Sequence, residues 1–474
     1  MKEKVKKTKI VCTIGPASED RRMLKKLVKA GMNVMRLNFS HGSYEEHAEK
    51  IKTMHEVNAE LGTNVAVMLD TKGPEIRTGD FVGGVAEFKK GQICTIGVSD
   101  EEGTSARFTT TYKQLYREVK PGGFILVNDG QISLLVDHVE GTDIVCVCSN
   151  DGTVKNKRGI NVPGIELGLD FVSPKDRADI RFGCEQDVNF IAASFTRRPQ
   201  DVLDIKKILI ECGKPDIQII AKIENGEGVE KIDEILKVAD GVMVARGDLG
   251  VEVPAEDVPL IQKQIIRKCK AMGKTVITAT QMLESMQENP RPTRAEVSDV
   301  ANAIYDGTDA IMLSGESAMG KYPEEAVLTM KKIAIKTEST LDYDSLHRRA
   351  VRTAANDTSE AICMSVAEIA VKFNVSAIIT YTTSGFTAKK LSRYRPECPI
   401  IAATPVGETM RKLALHWGVQ PVKVSSLPTM EALIGLAEII AKENGIEAGE
   451  EILVTGGTPG VPGQTNFLQL IKVR

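Results

Sequence analysis

Residues 188–247 contain three short apolar runs, VNFIAASF (188–195), IQIIAKIE (217–224) and DGVMVARG (240–247), and a stretch with helical periodicity follows each run. The runs are rich in β-branched residues, and their starts lie 29 and 23 residues apart. This spacing fits one strand and one helix per unit. Repeated strand–helix units predict a parallel sheet covered by helices.

The same pattern occurs five more times along the chain. Further apolar runs begin near Thr8, Met32, Asn64, Lys274 and Thr308. The helices predicted after the eight runs span residues 20–30, 44–61, 174–185, 199–212, 229–238, 259–272, 293–305 and 323–337. Eight strands alternating with eight helices predict an α/β fold of the (β/α)8 TIM-barrel type.

One interval between runs is far too long for a single unit, because 124 residues separate Asn64 from Val188. The surplus has Gly-rich turns, alternating apolar residues and a hairpin signal at Asn128-Asp129-Gly130. We therefore expect a small all-β domain, a β-barrel lid, at residues 72–170 after the third strand. The barrel domain would comprise residues 1–71 and 171–344.

Residues 345–474 contain a new alternation of helices and strands, with strands predicted at 377–381, 399–403, 421–424, 451–455 and 467–472. This pattern predicts a C-terminal α/β domain. Trp417, the only tryptophan, lies in it and is expected to pack in its core.

Composition excludes several functional classes. Acidic residues outnumber basic ones by 64 to 61, so no basic excess indicates nucleic acid as a partner. No apolar run is long enough for a bilayer span or a signal peptide, which argues against a membrane partner. The nine cysteines lack zinc-site spacing and fit a reducing compartment. We expect a cytoplasmic protein.

The active site of a (β/α)8 barrel lies at the C-terminal ends of its strands. Charged or small polar residues are concentrated there in this sequence: Arg36, Asn38, Ser40, Asp70, Thr71, Ser194, Lys222, Glu224, Arg246, Asp248, Thr280 and Gln281. Strand ends are often polar because they meet water. So many such residues converging on one mouth nevertheless favour a functional site.

The residue types indicate a chemistry. Glu224 and Asp248 are paired carboxylates that suit one hard divalent cation such as Mg2+. Lys222 and Arg36 supply positive charge for a phosphoryl group or an enolate. A further set contributes oxygens but only one negative charge, which suits a weakly charged cation: Asn38, Ser40, Asp70 and Thr71. Neither a Walker A sequence nor a protein-kinase glycine loop is present.

These residues lie in blocks that resemble the pyruvate kinase family. IIAKIENGEG (219–228) is similar to that family's active-site signature. Further similar blocks occur in the family's order: MNVMRLNFSHG (32–42), LDTKGPEIRTG (69–79), ARGDLGVE (245–252), TATQMLESM (278–286) and DGTDAIMLSGESA (306–318). The resemblance covers essentially the whole chain. It implies transfer of a phosphoryl group from phosphoenolpyruvate to ADP, giving pyruvate and ATP in the last step of glycolysis.

The resemblance also implies a role for each matching residue. Catalysis would use Lys222, Arg36 and Thr280, and the substrate would be bound by these three with Gly247 and Asp248. The nucleotide would contact Asn38, His41, Arg77 and Arg158. Mg2+ (or Mn2+) would be held by Glu224 and Asp248. K+ would be held by Asn38, Ser40, Asp70 and Thr71, with Ser194 nearby. Glu75 stands where K+-dependent members carry glutamate, so K+ dependence is expected.

A regulatory site is expected in the C-terminal domain. The segment TTSGFT (382–387) follows a strand and opens a helix, a geometry that either binds phosphate or only caps the helix. The resemblance favours an effector site at Thr382, Thr383, Ser384, Gly385 and Thr387, with the 456–463 loop as its other wall. Because neither Thr383 nor Phe386 is basic, AMP or ribose 5-phosphate is favoured over fructose 1,6-bisphosphate.

Other expectations concern assembly and alternatives. The resemblance implies a homotetramer, and the chain is expected to lack the phosphohistidine-like domain that some bacterial relatives carry after this point. Two rival functions remain open. One is a Mg2+-dependent lyase or aldolase that handles pyruvate enolates on the same barrel. The other is a non-catalytic relative that senses metabolites.

Overall fold

The computed structural model describes residues 5–426, 429–457 and 464–474. The first elements are strands alternating with helices: β1 (Lys9–Thr13), α1 (Arg21–Ala30), β2 (Val34–Asn38), α2 (Tyr44–Leu61) and β3 (Ala66–Asp70). Helix α2 begins with a capping box formed by Ser43 and Glu46, and Gly62, whose φ of 64° suits a glycine, caps its C-terminus.

The insertion after β3 consists mainly of strands: β4 (Ile76–Arg77), β5 (Val85–Phe88), β6 (Ile93–Gly97), β7 (Arg107–Thr109), β8 (Phe124–Val127), β9 (Ile132–Glu140), β10 (Asp143–Cys148), β11 (Gly152–Lys155) and β12 (Gly159–Asn161). Seven of them form one sheet in the order β4-β12-β8-β9-β10-β6-β7, and β5 pairs with β11. The edge strands approach each other through an isolated bridge between Thr78 and Thr110. The sheet therefore curls on itself, but no continuous ladder closes it into a barrel.

The remaining barrel elements follow: α3 (Pro174–Glu185), β13 (Phe190–Ala193), α4 (Pro199–Glu211), β14 (Gln218–Ile223), α5 (Gly226–Glu230), α6 (Ile232–Val238), β15 (Gly241–Ala245), α7 (Arg246–Glu252), α8 (Val258–Met272), β16 (Thr275–Ala279), α9 (Arg294–Asp306), β17 (Ala310–Leu313), α10 (Gly315–Ala318) and α11 (Pro323–Glu338). The eight parallel strands close in the order β1-β17-β16-β15-β14-β13-β3-β2. This closed barrel confirms the predicted (β/α)8 fold.

Two local predictions were wrong. The helix expected at residues 229–238 is two short helices, α5 and α6, which meet at Lys231. The sixth strand was expected to run to Asp248, but it ends at Ala245, and Arg246, Gly247 and Asp248 form the start of α7. Two glycines in ARGDLGVE lower its helix propensity, so the sequence concealed this helix.

The C-terminal elements are α12 (Tyr343–Arg352), α13 (Thr358–Phe373), β18 (Ala377–Tyr381), α14 (Phe386–Arg393), β19 (Ile400–Thr404), α15 (Gly407–Lys412), β20 (Val419–Lys423), α16 (Met430–Glu443), β21 (Glu451–Gly456) and β22 (Phe467–Lys472). The sheet order is β20-β19-β18-β21-β22, and only the last pairing is antiparallel. This arrangement confirms the predicted α/β fold. None of the helices in the described part of the chain combines the length and apolar character needed to span a bilayer.

The C-terminal sheet packs against the end of the barrel where the strands begin. Lys9, the first residue of β1, donates from Nζ to the carbonyl of Val419 at 2.6 Å. Thr275, the first residue of β16, has its Oγ1 3.3 Å from Nδ1 of His416. The C-terminal domain therefore lies at the opposite end of the barrel from the strand ends that carry the candidate site.

His416 makes this junction sensitive to acid. Burial lowers its pKa well below the ordinary value, and the nearby positive charges of Lys389, Lys270, Lys9 and Arg395 lower it further. Below pH of about 6.5 the unfolded chain takes up a proton at this position that the folded chain does not. Stability should therefore fall with acidification, by up to about 1.4 kcal/mol for each pH unit below 6.5.

The expected result is a steeper loss of unfolding free energy between pH 7.5 and 5.5 in the wild type than in His416→Gln. Urea denaturation at each pH measures the free energy of unfolding of both proteins. The contributions of carboxylates that both proteins share cancel in the difference between them. Parallel profiles for wild type and variant would contradict this account of the junction.

Candidate active site

Lys222 lies at the centre of a buried polar cluster at the mouth of the barrel. Its Nζ lies within hydrogen-bonding distance of three side-chain oxygens: Ser194 Oγ at 2.7 Å, Asp70 Oδ1 at 3.0 Å and Glu224 Oε1 at 3.0 Å. Three consecutive barrel strands, β3, β13 and β14, supply these groups at or just after their ends. The fold thus brings together residues from positions 70 to 224.

The cluster holds its charges against the cost of burial. Burial raises the pKa of Asp70, but the positive charges of Arg36 and Lys222 outweigh it and bring the pKa below its ordinary value. Burial lowers the pKa of Lys222, and Asp70 and Glu224 reverse this effect, so the pKa ends above its ordinary value. Lys222 therefore presents a fixed ammonium group in a water-poor site.

Arg36 is the second cation of this cluster. Its Nε donates to Asp70 Oδ2 at 2.5 Å, and its Nη1 donates to Thr13 Oγ1 at 2.8 Å. Asp70 is only 1% exposed and lies between the two cations. Arg36 and Lys222 are therefore held in place by one carboxylate, which suits stable positioning of positive charge near a phosphoryl group.

Glu224 and Asp248 supply the carboxylates of the predicted divalent-metal site. Glu224 is 1% exposed and follows β14, and its Oε2 accepts a hydrogen bond from the Phe195 backbone N–H at 2.6 Å. Burial raises the pKa of Glu224 to about 7, with Lys222 opposing the rise and Asp248 adding to it. The two carboxylates thus lie close enough to repel. The sequence predicted Asp248 at the end of a strand, but it lies on the first turn of α7.

Thr280 and Gly247 are joined directly. The Gly247 backbone N–H donates to Thr280 Oγ1 at 2.8 Å. Thr280 follows β16 with a φ of 67°, and the next residue, Gln281, has a φ of 53°. Such conformations are uncommon for non-glycine residues and cluster at functional sites.

Arg246 stabilises this turn, a role that the sequence did not reveal. Its Nη2 donates to the carbonyl of Thr280 at 2.7 Å, and its Nη1 pairs with Asp299 at 2.7 Å. In the sequence, Arg246 was only one of several charged residues at strand ends. Its stabilising contacts could not be predicted, because its partners lie 34 and 53 positions further along the chain.

The residues predicted to hold K+ are neighbours. The register of β2 and β3 pairs Asn38 with Asp70. Asn38 Oδ1 accepts from the Ser40 backbone N–H at 3.0 Å, and Ser40 lies in a turn beyond the end of β2. Thr71 Oγ1 accepts from the Ser194 N–H at 3.2 Å. The set presents amide and hydroxyl oxygens around one carboxylate.

Of the four predicted nucleotide residues, Asn38 lies beside Asp70 and the other three lie further out. His41 and Arg158 are exposed. Arg77 is engaged within the insertion, because its Nε donates to Glu75 Oε2 and its Nη1 to the Lys157 carbonyl, both at 2.8 Å. The structure therefore does not join these residues directly to the Lys222 cluster.

A cleft of about 260 Å3 separates the insertion from the barrel mouth. Residues from both sides line it, among them Glu75, Asp129 and Asn161 from the insertion and Phe195, Asp248 and Glu252 from the barrel. Gly73 allows the chain to leave β3 for the insertion here: its φ is 74°, and a Cβ would lie 2.7 Å from the Ser194 carbonyl oxygen. The carboxylate of Asp248 thus faces a space large enough for small ligands.

The predicted effector segment lies at the start of α14. Gly385 caps this helix with a φ of 81°, and its N–H donates to Thr382 Oγ1 at 2.9 Å. Thr387 Oγ1 lies 2.7 Å from Thr465 Oγ1. Thr383 and Ser384 are exposed. Residues 458–463 of the predicted opposite wall lie outside the described residues.

Comparisons with known proteins agree with this architecture. Residues 5–327 match the family model "Pyruvate kinase, barrel domain", and residues 360–471 match "Pyruvate kinase, alpha/beta domain". The chain is 51% identical to a pyruvate kinase of Staphylococcus saprophyticus and 50% identical to one of Staphylococcus aureus strain MRSA252. Each alignment covers 98% of this chain and 80% of the relative.

A solved structure gives the same result. The crystal structure of a pyruvate kinase from Cryptosporidium parvum superimposes with a TM-score of 0.95 at 39% identity, covering 99% of this chain and 96% of that one. The matches extend over the barrel, the insertion and the C-terminal domain. The chain belongs to the pyruvate kinase family and is a phosphotransferase.

Proposed function

We propose that this chain transfers the phosphoryl group of phosphoenolpyruvate to ADP at the barrel mouth, producing pyruvate and ATP. The observation that carries the proposal is the buried cluster in which Lys222 contacts Asp70, Ser194 and Glu224. Phosphoryl transfer needs positive charge positioned around the transferring group, with little covalent participation by the protein. Lys222 and Arg36 provide that charge on rigid strands.

Glu224 and Asp248 are the proposed ligands of Mg2+ or Mn2+. Their carboxylates are hard oxygen donors. Burial, and then the nearby negative charge of Asp248, disfavour the ionised Glu224 carboxylate, so a cation fits the site. No group of three His, Cys, Asp or Glu side chains within the described ranges forms a complete metal site. The remaining ligands would be substrate and water oxygens. When bound, the cation supplies charge that polarises the phosphoryl oxygens.

The proposed reaction proceeds in two steps. A terminal phosphate oxygen of ADP attacks phosphorus, and the bond from phosphorus to the enol oxygen breaks, which leaves the enolate of pyruvate. Lys222 and Arg36 stabilise the charge that develops on the phosphoryl and enolate oxygens. The enolate carbon then takes a proton from water on the side of Thr280, whose hydroxyl accepts from the Gly247 N–H and donates to the Ala279 carbonyl.

Binding of the nucleotide is proposed to involve Asn38, His41, Arg77 and Arg158. The last two residues lie in the insertion, across the cleft from Asp248. Because they do not contact the Lys222 cluster, we propose that the insertion closes over bound ligands and excludes water. Arg77 would then exchange its contact with Glu75 for phosphate oxygens.

Coupled detection of ATP and pyruvate from phosphoenolpyruvate, ADP, Mg2+ and K+ tests the proposed function. Equimolar formation of both products is the expected result. Pyruvate released from a substrate without ADP would instead indicate the lyase or aldolase function. A folded protein that binds phosphoenolpyruvate without turnover would indicate the metabolite-sensing function.

We further propose that K+ binds at Asn38, Ser40, Asp70 and Thr71. The low pKa of Asp70 keeps one full negative charge there, and amide and hydroxyl oxygens surround it. Glu75 contacts Arg77 through both carboxylate oxygens at 2.8 Å. A lysine at position 75 would place a covalently attached positive charge in the lining of the cleft.

Replacing K+ by tetramethylammonium is expected to lower kcat by at least about tenfold, because a positive charge near the transferring group is lost. Glu75→Lys should reduce this dependence, whereas Glu75→Gln, which removes the carboxylate without adding a charge, should retain it. Steady-state rates at constant ionic strength measure the effect. Equal activity of the wild type in both salts would disprove K+ dependence.

The segment 382–387 is the proposed site for a small phosphorylated effector, with AMP or ribose 5-phosphate favoured over fructose 1,6-bisphosphate. The Thr382 hydroxyl already accepts a hydrogen bond from the Gly385 N–H within this turn. The exposed hydroxyls of Thr383 and Ser384 are therefore the available donors. The N-terminus of α14 adds backbone N–H groups that suit a phosphate.

The double variant Thr383→Ala/Ser384→Ala should therefore need about tenfold more AMP or ribose 5-phosphate for half-maximal activation, since two hydrogen bonds are lost. Activity without effector should not change. Ser365→Ala, which removes a half-buried hydroxyl on α13 that donates to the Ala361 carbonyl, is the matched control. An unchanged activation constant in the double variant would exclude this segment as the effector site.

The organisation of the whole protein is also a proposal. We propose a barrel domain (1–71 and 171–344), a lid (72–170), a C-terminal regulatory domain (345–474) and assembly as a homotetramer. Limited proteolysis tests the domain boundaries, and light scattering tests the homotetramer. All nine cysteines are free, which supports a cytoplasmic location.

A further inference from the structure

We propose that a cationic cavity between the barrel and the C-terminal domain binds a phosphate group, either free or carried by a small metabolite. This cavity, the junction cavity, has a volume of about 190 Å3. Its lining includes five basic side chains: Arg267, Lys270, Arg349, Arg393 and Arg395. They come from the barrel helix α8, the connecting helix α12 and the end of α14 with the turn that follows it.

Two of these guanidinium groups carry buried N–H donors without acceptors. Arg395 is 4% exposed, and its Nη2 donates to the Gly307 carbonyl at 2.6 Å and to Asp309 Oδ1 at 2.9 Å. Its Nη1 is buried and has no acceptor in the described part of the chain. Arg393 Nε is in the same situation. Unpaired buried donors are costly, so two of them beside one cavity indicate an acceptor-rich ligand.

The charges around the junction cavity are also unbalanced. Asp309 is shared by Lys270 and Arg395. Glu360 is shared by Arg393 and Lys390, and Lys390 also pairs with Asp357. Each carboxylate thus faces two cations.

The mouth of the cavity adds two more positive charges. Arg267 and Arg349 are exposed, and neither forms an ion pair within the residues that the structure describes. The one carboxylate in the lining, Asp306, is occupied by Lys263 and by Gln262. An oxyanion would neutralise the surplus, and the two exposed guanidinium groups could each bind it through paired hydrogen bonds.

The junction cavity is separate from the sites discussed above. The effector segment spans the N-terminal end of α14, whereas Arg393 is the last residue of this helix and Arg395 lies beyond it. The barrel mouth is at the other end of the strands. A ligand here would contact α8, α12 and the end of α14 together, and would therefore tie the C-terminal domain to the barrel.

Trp417 provides a local reporter of occupancy. It is the only tryptophan in the chain, it is 2% exposed, and the Arg395 guanidinium carbon lies 4.6 Å from its ring centroid. An anion bound to Arg395 should alter the field at the indole and change its fluorescence. The experiment is a titration of the full chain with inorganic phosphate at constant ionic strength in chloride, and a second titration with ribose 5-phosphate.

A saturable fluorescence change is expected in the wild type. The double variant Arg267→Gln/Arg349→Gln should raise the half-saturating phosphate concentration by about tenfold or more, because charge-assisted hydrogen bonds are lost. Arg348→Gln is the matched control: this exposed arginine is on α12, pairs with Asp344 at 3.7 Å and does not line the cavity. Circular dichroism checks that all variants are folded. Tighter binding of ribose 5-phosphate would identify a metabolite, and equal binding would identify the phosphate group alone.

Two results would overturn the proposal. One is the absence of any saturable signal in the wild type. The other is a half-saturating concentration that is the same in the wild type, the double variant and Arg348→Gln, because the signal would then come from phosphate bound elsewhere.

Discussion

Lys222→Met is expected to lower kcat for ATP formation by about a thousandfold, since this single change removes the ammonium group that faces the transferring phosphoryl group and the enolate. Methionine keeps an unbranched stem of similar length, so the packing around the barrel strand is retained. Asp70 keeps Arg36 as a partner, and Glu224, whose pKa is about 7, can take up a proton. The variant should therefore fold.

The matched control is Lys231→Met, which removes another lysine from the same part of the barrel. Lys231 pairs with Glu227 at 2.7 Å, outside the cluster around Lys222. Its kcat should stay close to that of the wild type. Single-turnover rates and circular dichroism on both variants separate loss of chemistry from loss of fold. A Lys222→Met enzyme with wild-type turnover would exclude Lys222 from the chemical step.

The second large effect is expected from Glu224→Gln and Asp248→Asn. Each change removes one of the two negative charges proposed to hold the divalent cation. Loss of residues that only support metal ligands typically weakens metal binding by about 10–100-fold, so losing a ligand should raise the half-saturating Mg2+ concentration by about 100-fold or more. Calorimetric titration with Mn2+ measures the affinity independently of turnover.

Glu252→Gln is a demanding control for the metal site. Glu252 lines the same cleft as Asp248, burial raises its pKa, and it accepts a hydrogen bond from Asn161 at 2.8 Å. It carries the same charge but is not a proposed ligand, so its replacement should change the Mg2+ requirement little. If Glu252→Gln weakened Mn2+ binding more than Asp248→Asn, the assignment of Asp248 would be wrong.

Much of the fold could be predicted from the sequence. All eight barrel strands lie within the apolar runs, and helix α3 (Pro174–Glu185) has the predicted bounds. Strand and helix periodicity reflects burial of neighbouring residues, which is a local property. Burial does not reveal the short helix at ARGDLGVE, because its two glycines lower its helix propensity. This helix directly follows a barrel strand, and the long-range contacts of Arg246 stabilise it.

The sequence by itself determined which side chains stand at the strand ends: Lys222, Glu224, Asp70 and Arg36 are there because each lies in or directly after a short apolar run. Only the tertiary structure decided which of them meet. Ser194 joins Lys222 because β13 lies between β3 and β14, although the insertion separates β13 from β3 in the chain. The junction cavity likewise depends on how the C-terminal domain docks on α8. Strand order and docking depend on closure of the barrel, a long-range property that no local pattern contains.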